Sequence, residues 1–238
     1  MSVVSLAPLQ RRSFAAQSTP FTARRVVVLG ARAGVGAAIA LAFARDDGRL
    51  VVHLAGGKNE NAALADELAG HCRGLRVFSG PLAGAAAVER FARTAVSAYG
   101  GCDVAINIVA APAESALSGD AEAVEAVLAG TLRSADAAAR VAAETMRANH
   151  TEGIVLHVAE AAGRGRRALA VASLLHAGLA AMTRAQAEAW GPHGVRVNGL
   201  IADADPALAG ELAETAVALA APARRWQSGL TVSSGTYY

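Results

Sequence analysis

The stretch Arg25-Val-Val-Val-Leu-Gly30-Ala-Arg-Ala-Gly34-Val-Gly36 is the most informative part of this 238-residue chain. Its β-branched run predicts a buried strand, and the glycines that follow predict a tight turn leading into a helix. Gly30 lets the chain turn sharply, Gly34 lets an anion approach the backbone, and Gly36 lets the helix pack closely on a sheet. Free N–H groups at such a helix start can hold a phosphate. The alternative is a turn kept for packing alone.

The rest of the chain alternates short apolar runs with longer Ala-rich stretches. Predicted strands are Val26–Leu29, Leu50–Leu54, Leu75–Phe78, Val104–Ile106, Ile154–Val158, Val195–Leu200 and Leu230–Val232. Predicted helices lie near Gly34–Ala44, Asn61–His71, Ala85–Ala98, Asp120–Asn149, Arg167–Trp190 and Pro206–Ala220. This alternation favours a parallel sheet covered by helices on both faces. We therefore predict an α/β fold with a single Rossmann-type, doubly wound sheet of about seven parallel strands.

Composition excludes several classes of protein. Hydrophobic residues make up 53% and charged residues 18%, as in a globular domain. A net charge of +2 and 4% aromatic residues argue against nucleic-acid binding. Cys72 and Cys102 form neither a disulfide framework nor a zinc set, and no uninterrupted apolar run of about 18 residues predicts a membrane helix. We expect a cytoplasmic protein that has no metal site and binds neither membranes nor nucleic acids.

Residues 1–24 differ from the remainder in charge. They contain Arg11, Arg12 and Arg24, several Ser and Thr, and no acidic residue. This composition predicts a flexible N-terminal arm, or alternatively an Arg- and Ser-rich organelle presequence. Residues 25–238 show no linker or repeat, so we predict that they form one domain.

The Gly-x-x-x-Gly-x-Gly spacing of the turn resembles that of the short-chain dehydrogenase/reductase family. The segments 102–110, 194–198 and 228–235 are similar to its fourth-strand, Arg-Val-Asn and final-strand segments. The resemblance implies a Rossmann domain that binds NAD(P). On this chain it assigns five candidate cofactor-binding residues, namely Gly30, Arg32, Gly34, Gly36 and Asn107. The amide of Asn107 could instead bridge strands.

The catalytic residues that the family uses are missing from this sequence. Family spacing puts the tyrosine position at Ala172, the lysine at His176, the asparagine at Val127, and the serine at Ala159 or Glu160. The absence does not depend on that alignment, because Lys58 is the only lysine and Leu54 stands four residues before it. A phenol activated by a lysine one helical turn later cannot be formed, so we predict no catalytic residue.

Contacts to the rest of a dinucleotide are also reduced. The family threonine before the first glycine corresponds to Leu29, and the adenine-reading aspartate corresponds to Pro81. The ribose-binding acid expected about 20 residues after the turn falls in residues 55–57, Ala-Gly-Gly. Lys58 could pair with a 2′-phosphate or could be a solvated lysine. We predict weak NAD(P) binding or none.

Different chemistry could have replaced the missing residues. Glu160 and His176, with His157 nearby, could act as an acid–base pair at the former catalytic cleft. Alternatively, Glu160 is a solvated loop acid beside Arg164 and Arg166, and His176 packs against a partner helix.

The resemblance also implies assembly, since subunits of this family associate through helices at 120–149 and 167–190. On the second of these helices an apolar stripe could face a partner or pack on the sheet, and it consists of Ala168, Val171, Leu175, Leu179 and Met182. The leading hypothesis is a non-catalytic subunit in a heterotetramer with an intact paralogue that acts on an alcohol or hydroxyacyl thioester. The alternatives are a nucleotide-sensing regulatory module and an enzyme with relocated chemistry around Glu160 and His176.

Overall fold

The computed structural model describes residues 24–44, 48–72, 74–111, 117, 121–160, 165–202, 205–222 and 227–233. Of the predicted arm, only Arg24 falls within these ranges, so the prediction for residues 1–24 lies outside the described residues. Arg164, the predicted neighbour of Glu160, is outside them as well.

The described residues form seven strands and six α-helices at the predicted places. The strands are β1 (Arg25–Ala31), β2 (Arg49–Leu54), β3 (Gly74–Ser79), β4 (Val104–Ala110), β5 (Gly153–Glu160), β6 (Val195–Ala202) and β7 (Thr231–Ser233). The helices are α1 (Val35–Ala44), α2 (Lys58–Ala69), α3 (Gly84–Ser97), α4 (Ala121–Ala148), α5 (Arg166–Trp190) and α6 (Ala209–Ala220). Short 3₁₀ helices at Gly191–His193 and Pro206–Leu208 precede β6 and α6.

The strands make one parallel sheet in the order β3-β2-β1-β4-β5-β6-β7, which confirms the predicted doubly wound fold. The order reverses between β1 and β4, and ligands of such sheets bind at the carboxyl ends of the strands at this point. Register places Glu160 beside Ala110 of β4 and Ala202 of β6. Glu160 therefore lies at the edge where a ligand of this fold would bind.

Apolar side chains cover both faces of the sheet. Helices α1, α2 and α6 pack on one face, where Ile39 and Phe43 of α1 are fully buried among strand residues such as Val28 and Leu156. Helices α3 and α4 pack on the other face around Phe91 and Met146. Each large side chain buried in this way contributes about 1.5–3 kcal/mol relative to exposure, so the sheet is the rigid frame of the molecule.

The apolar stripe of α5 packs inside the chain and is not available to a partner. Ala168, Val171, Leu175 and Leu179 are buried in the chain's own core, with Met182 partly buried beside them. The prediction that this stripe faces a partner is therefore wrong, and the alternative of ordinary packing is confirmed. The reason is the close approach of α5 to α4, where a Cβ on Gly178 would lie 2.9 Å from Leu132 Cδ1.

One helical stretch of the described chain, Arg166–His193, is long and apolar enough to cross a bilayer by length and composition alone. The core helix of a globular protein meets the same criteria. In this fold Leu175 and Leu179 of the stretch are buried against the sheet and α4.

Candidate functional site

The glycine turn has the backbone shape that its sequence predicts. Gly30 and Gly34 adopt φ angles of +87° and +94°, a region that residues with a Cβ rarely occupy. A Cβ on Gly30 would lie 2.5 Å from the carbonyl oxygen of Ile108 in β4, whereas a Cβ on Gly34 would meet nothing within 4 Å. Gly30 is thus needed for close packing against β4, and Gly34 borders open space.

The first turn of α1 follows directly, and the N–H groups of Gly36 and Ala37 already have partners. N–H groups at a helix start lack acceptors within the helix. Here the Gly36 N–H donates to Glu160 Oε1 at 3.0 Å, and the Ala37 N–H donates to the Arg32 carbonyl at 2.8 Å. Glu160 therefore caps α1 from the end of a strand 124 residues away in sequence.

The second oxygen of the Glu160 carboxylate is bound by Arg32. Arg32 Nε donates to Glu160 Oε2 at 2.9 Å, and the two side chains are 38% and 9% exposed. The carboxylate thus lies between a guanidinium and a helix N-terminus, and both stabilise negative charge. The interpretation of Glu160 as a solvated loop acid beside Arg164 and Arg166 is wrong, because Glu160 ends a central strand and faces the turn.

Asn107, the remaining candidate cofactor residue, is buried in β4. Its side-chain Nδ2 donates to the carbonyl oxygen of Ala135 in α4 at 3.1 Å. The amide therefore connects β4 to helix α4, and does not join two strands as the alternative interpretation expected.

The family's catalytic positions on α4 and α5 hold groups of different chemistry. Ala172 is buried in the core and Val127 is partly buried on α4. His176 is half-buried, and its Nε2 has no hydrogen-bond partner among the described residues. Burial lowers the pKa of His176 below its ordinary value, which favours the neutral ring.

The alternative acid–base pair of Glu160 with a histidine is not hydrogen-bonded among the described residues. The Glu160 carboxylate is bound to Arg32 and Gly36. His157 Nε2 instead lies 2.9 Å from Gln186 Oε1, and Gln186 Nε2 donates to Asp136 Oδ1 at 2.8 Å. Burial also lowers the pKa of His157. Glu160 and His157 therefore belong to separate hydrogen-bond networks within the described chain.

In the loop after β2, where a ribose would lie, two backbone N–H groups are already bound by side chains of α2. The Gly56 N–H donates to Asn61 Oδ1 at 3.0 Å, and the Gly57 N–H donates to Glu60 Oε2 at 3.2 Å. Lys58 is exposed at the first position of α2, as expected for a solvated lysine. Among the residues that the structure describes, no group of three His, Cys, Asp or Glu could hold a metal ion.

The sequence identifies Glu160 and Arg32 as separate candidate residues but does not predict that they contact each other. Arg32 was a candidate for the cofactor and Glu160 for catalysis, and 128 residues separate them. The signal was present, since an acid stands at a family serine position and an arginine lies within the glycine turn. Only the order of the strands brings the end of β5 to the start of α1.

Comparison with known proteins agrees with the fold. No curated protein sequence matches the chain significantly. A short-chain dehydrogenase from Mycobacterium smegmatis shares 21% identity at a TM-score of 0.72, covering 92% of this chain and 94% of its own. A short-chain dehydrogenase/reductase from Serratia marcescens shares 22% at 0.73, covering 90% and 97%. YwfH, an NADPH-dependent reductase involved in bacilysin biosynthesis, shares 21% at 0.74, covering 90% and 98%.

These structures show the fold, and the family follows from the sequence. A family model described as enoyl-(acyl carrier protein) reductase matches residues 30–225, from the first glycine of the turn to the segment before β7. Since this match covers most of the chain, the protein belongs to the short-chain dehydrogenase/reductase family.

Proposed function

We propose that this chain is a pseudoenzyme of the short-chain dehydrogenase/reductase family, a non-catalytic subunit that assembles with a catalytically intact paralogue. The observation that carries the proposal is the chemistry of α5. Where the family mechanism needs a phenol and an ammonium, α5 has a buried alanine, Ala172, and a half-buried histidine, His176. Neither residue supplies the activated phenol of that mechanism.

The exposed face of α5 supports an assembly role. Leu169 and Leu174 are 51% and 61% exposed, the highest values among the large apolar side chains of the described residues. The remaining exposed positions between them and Arg184 are small and uncharged, namely Ala170, Ser173, Ala177 and Ala181. Contiguous apolar surface of this kind marks protein–protein contacts, and small residues let a second helix approach closely. This face replaces the buried stripe as the proposed contact.

The proposed partner is an intact paralogue in a heterotetramer, with interfaces of more than about 2,000 Å² each. The partner would carry out NAD(P)-dependent oxidation or reduction of an alcohol or hydroxyacyl thioester. We place the complex in the cytoplasm.

Assembly is tested by native mass spectrometry of the chain co-expressed with an intact paralogue, comparing Leu174→Asp with the wild type. A charge at the exposed position should break the complex, because it would be buried without a partner. Ala63→Asp on the exposed surface of α2 is the matched control and should leave the complex intact. A wild-type chain that stays monomeric beside a fully active paralogue would refute the proposal.

The isolated chain should have no dehydrogenase or ketoreductase activity with either nicotinamide cofactor. The measurement is turnover of alcohol and carbonyl substrates after stringent purification. Activity that disappears in His176→Ala or Glu160→Ala would contradict the proposal and favour an enzyme with relocated chemistry.

A nucleotide-sensing module is the second candidate, and the open space at Gly34 favours it. Titration with NADPH and NADH, followed by tryptophan and nicotinamide fluorescence, separates the two functions. Low-micromolar or tighter binding to the wild type favours the sensor. Absence of binding favours the assembly subunit.

A further inference from the structure

We infer that the Glu160 carboxylate is a built-in occupant of the anion site at the glycine turn and that it keeps a dinucleotide pyrophosphate out. The inference concerns the residues of this chain alone and does not depend on assembly with a partner. It identifies the group that would have to be displaced before the turn could bind a phosphate.

The first support is that the carboxylate already binds two donors that a phosphate at this turn could use, the Gly36 N–H and Arg32. In folds of this kind a pyrophosphate binds the N–H groups at the start of the first helix. The Gly36 N–H is 3.0 Å from Glu160 Oε1, and the charged side chain beside the turn, Arg32, is 2.9 Å from Oε2. A phosphate at the same donors would lie against a carboxylate of like charge.

The second support is that the turn keeps the shape of a phosphate site. Gly34 retains a φ of +94°, and a Cβ added there would meet nothing within 4 Å. Gly36, in contrast, is in close contact with the Glu160 carboxylate, since a Cβ added to Gly36 would lie 3.3 Å from Glu160 Oε1. The site is therefore filled at its inner end and open at its outer end, and has not collapsed.

The third support is the rigidity with which the occupant is held. Glu160 ends β5, pairs with Ala110 on one side and Ala202 on the other, and accepts the Ala111 N–H at 3.1 Å through its carbonyl oxygen. Its side chain is 9% exposed, whereas that of Arg32 is 38% exposed. The carboxylate is thus held at the end of the sheet, and Arg32 is the more exposed member of the pair.

With Glu160 bound to Arg32 and the Gly36 N–H, the residues at the turn do not fit the pyrophosphate of a dinucleotide. Replacing Glu160 by serine, the residue that family spacing places at Ala159 or Glu160, would free the Gly36 N–H and Arg32 together. Both are donors of the kind that bind phosphate oxygens. The same change that weakens the cap of α1 should therefore create an anion site.

The test is isothermal titration of inorganic pyrophosphate, NADH and NADPH into the wild type, Glu160→Ser and Glu160→Gln. We expect pyrophosphate to bind Glu160→Ser at least about tenfold more tightly than the wild type, because two charge-assisted contacts become available. Glu160→Gln, which keeps an acceptor for Gly36 but removes the charge, should fall between them. Glu60→Gln is the matched control, since Glu60 caps the start of α2 and should not affect pyrophosphate binding.

Thermal unfolding and the Gly36 amide resonance verify that each variant is folded and that the cap has changed. A dinucleotide that gains affinity together with pyrophosphate supports the inference. Equal affinity of the wild type and both variants would overturn it, and so would the absence of pyrophosphate binding to folded Glu160→Ser and Glu160→Gln.

Discussion

Two arginine–carboxylate pairs lie at opposite ends of β1. Arg25, the first residue of the strand, pairs with Asp103 just before β4, and Arg32, just after the strand, pairs with Glu160 at the end of β5. Both pairs join strands that are distant in sequence. They differ in how completely each arginine is bound and in which other groups the carboxylate contacts.

In the pair at the amino end of β1, every nitrogen of Arg25 has a hydrogen-bond acceptor. Arg25 Nη2 and Nε donate to the two oxygens of Asp103 at 2.6 and 3.1 Å, Nη1 donates to the Gly100 carbonyl at 2.8 Å, and the Arg25 backbone N–H donates to Asp103 Oδ2 at 2.7 Å. The side chains are 22% and 18% exposed. These contacts raise the pKa of Arg25, chiefly through the hydrogen bond to Asp103.

The pair at the carboxyl end is different because Glu160 divides its oxygens between Arg32 and a helix terminus. The Arg25–Asp103 pair is bidentate and largely shielded from solvent, so it contributes to the stability of the fold. The Arg32–Glu160 pair also occupies an N–H at a helix N-terminus, so it changes which anions the site can bind. The same two residue types therefore stabilise the fold at one end of β1 and occupy the candidate site at the other.

The largest effect is expected for Asp103→Asn. This change leaves Arg25 partly buried without its counter-charge, and we expect a loss of about 2–3 kcal/mol in the free energy of unfolding. Urea denaturation followed by circular dichroism measures it. A loss no larger than that of Glu160→Gln would show that the two pairs are equivalent.

The stability of the fold should also respond to acid, through a buried histidine of β5. Burial lowers the pKa of His157 in β5, so below about pH 6.5 the unfolded chain binds a proton that the folded chain does not. Stability should therefore fall as pH decreases from 7 to 5.5, by at most about 1.4 kcal/mol per pH unit for this residue. Denaturation across this range should give a shallower slope for His157→Gln, with exposed His71→Gln as control. An unchanged slope in His157→Gln contradicts the assignment.

Glu160→Gln should cost less than Asp103→Asn. Arg32 is 38% exposed and can be solvated, and the glutamine oxygen can still accept the Gly36 N–H. We expect a loss of about 0.5–1 kcal/mol in the same urea experiment. A loss above that of Asp103→Asn would mean that the carboxyl-end pair is primarily structural.

The smallest effect is expected for Arg32→Lys. An ammonium can replace one contact to the carboxylate, and the position is partly solvated, so the free energy of unfolding should change by less than about 0.5 kcal/mol. Arg25→Lys is the matched comparison and should cost more, because it removes several directed hydrogen bonds. Equal costs in urea denaturation would remove the distinction between the pairs.

Much of this protein is predictable without coordinates. The β-branched runs and the glycine turn identify the strands and the start of α1, because side-chain periodicity and backbone freedom are local properties. The absence of a Tyr-x-x-x-Lys pair is likewise a property of the sequence alone, since Lys58 is the only lysine and Leu54 precedes it by four residues.

Long-range packing accounts for the rest. The apolar stripe of α5 allowed two interpretations, and its burial depends on where α4 lies, which no local pattern specifies. The contact of Glu160 with Arg32 and Gly36 requires β5 to lie next but one to β1 in the sheet. Local propensity specifies each element, but the partner of a charged side chain depends on which strand ends meet, and that is a property of the tertiary structure.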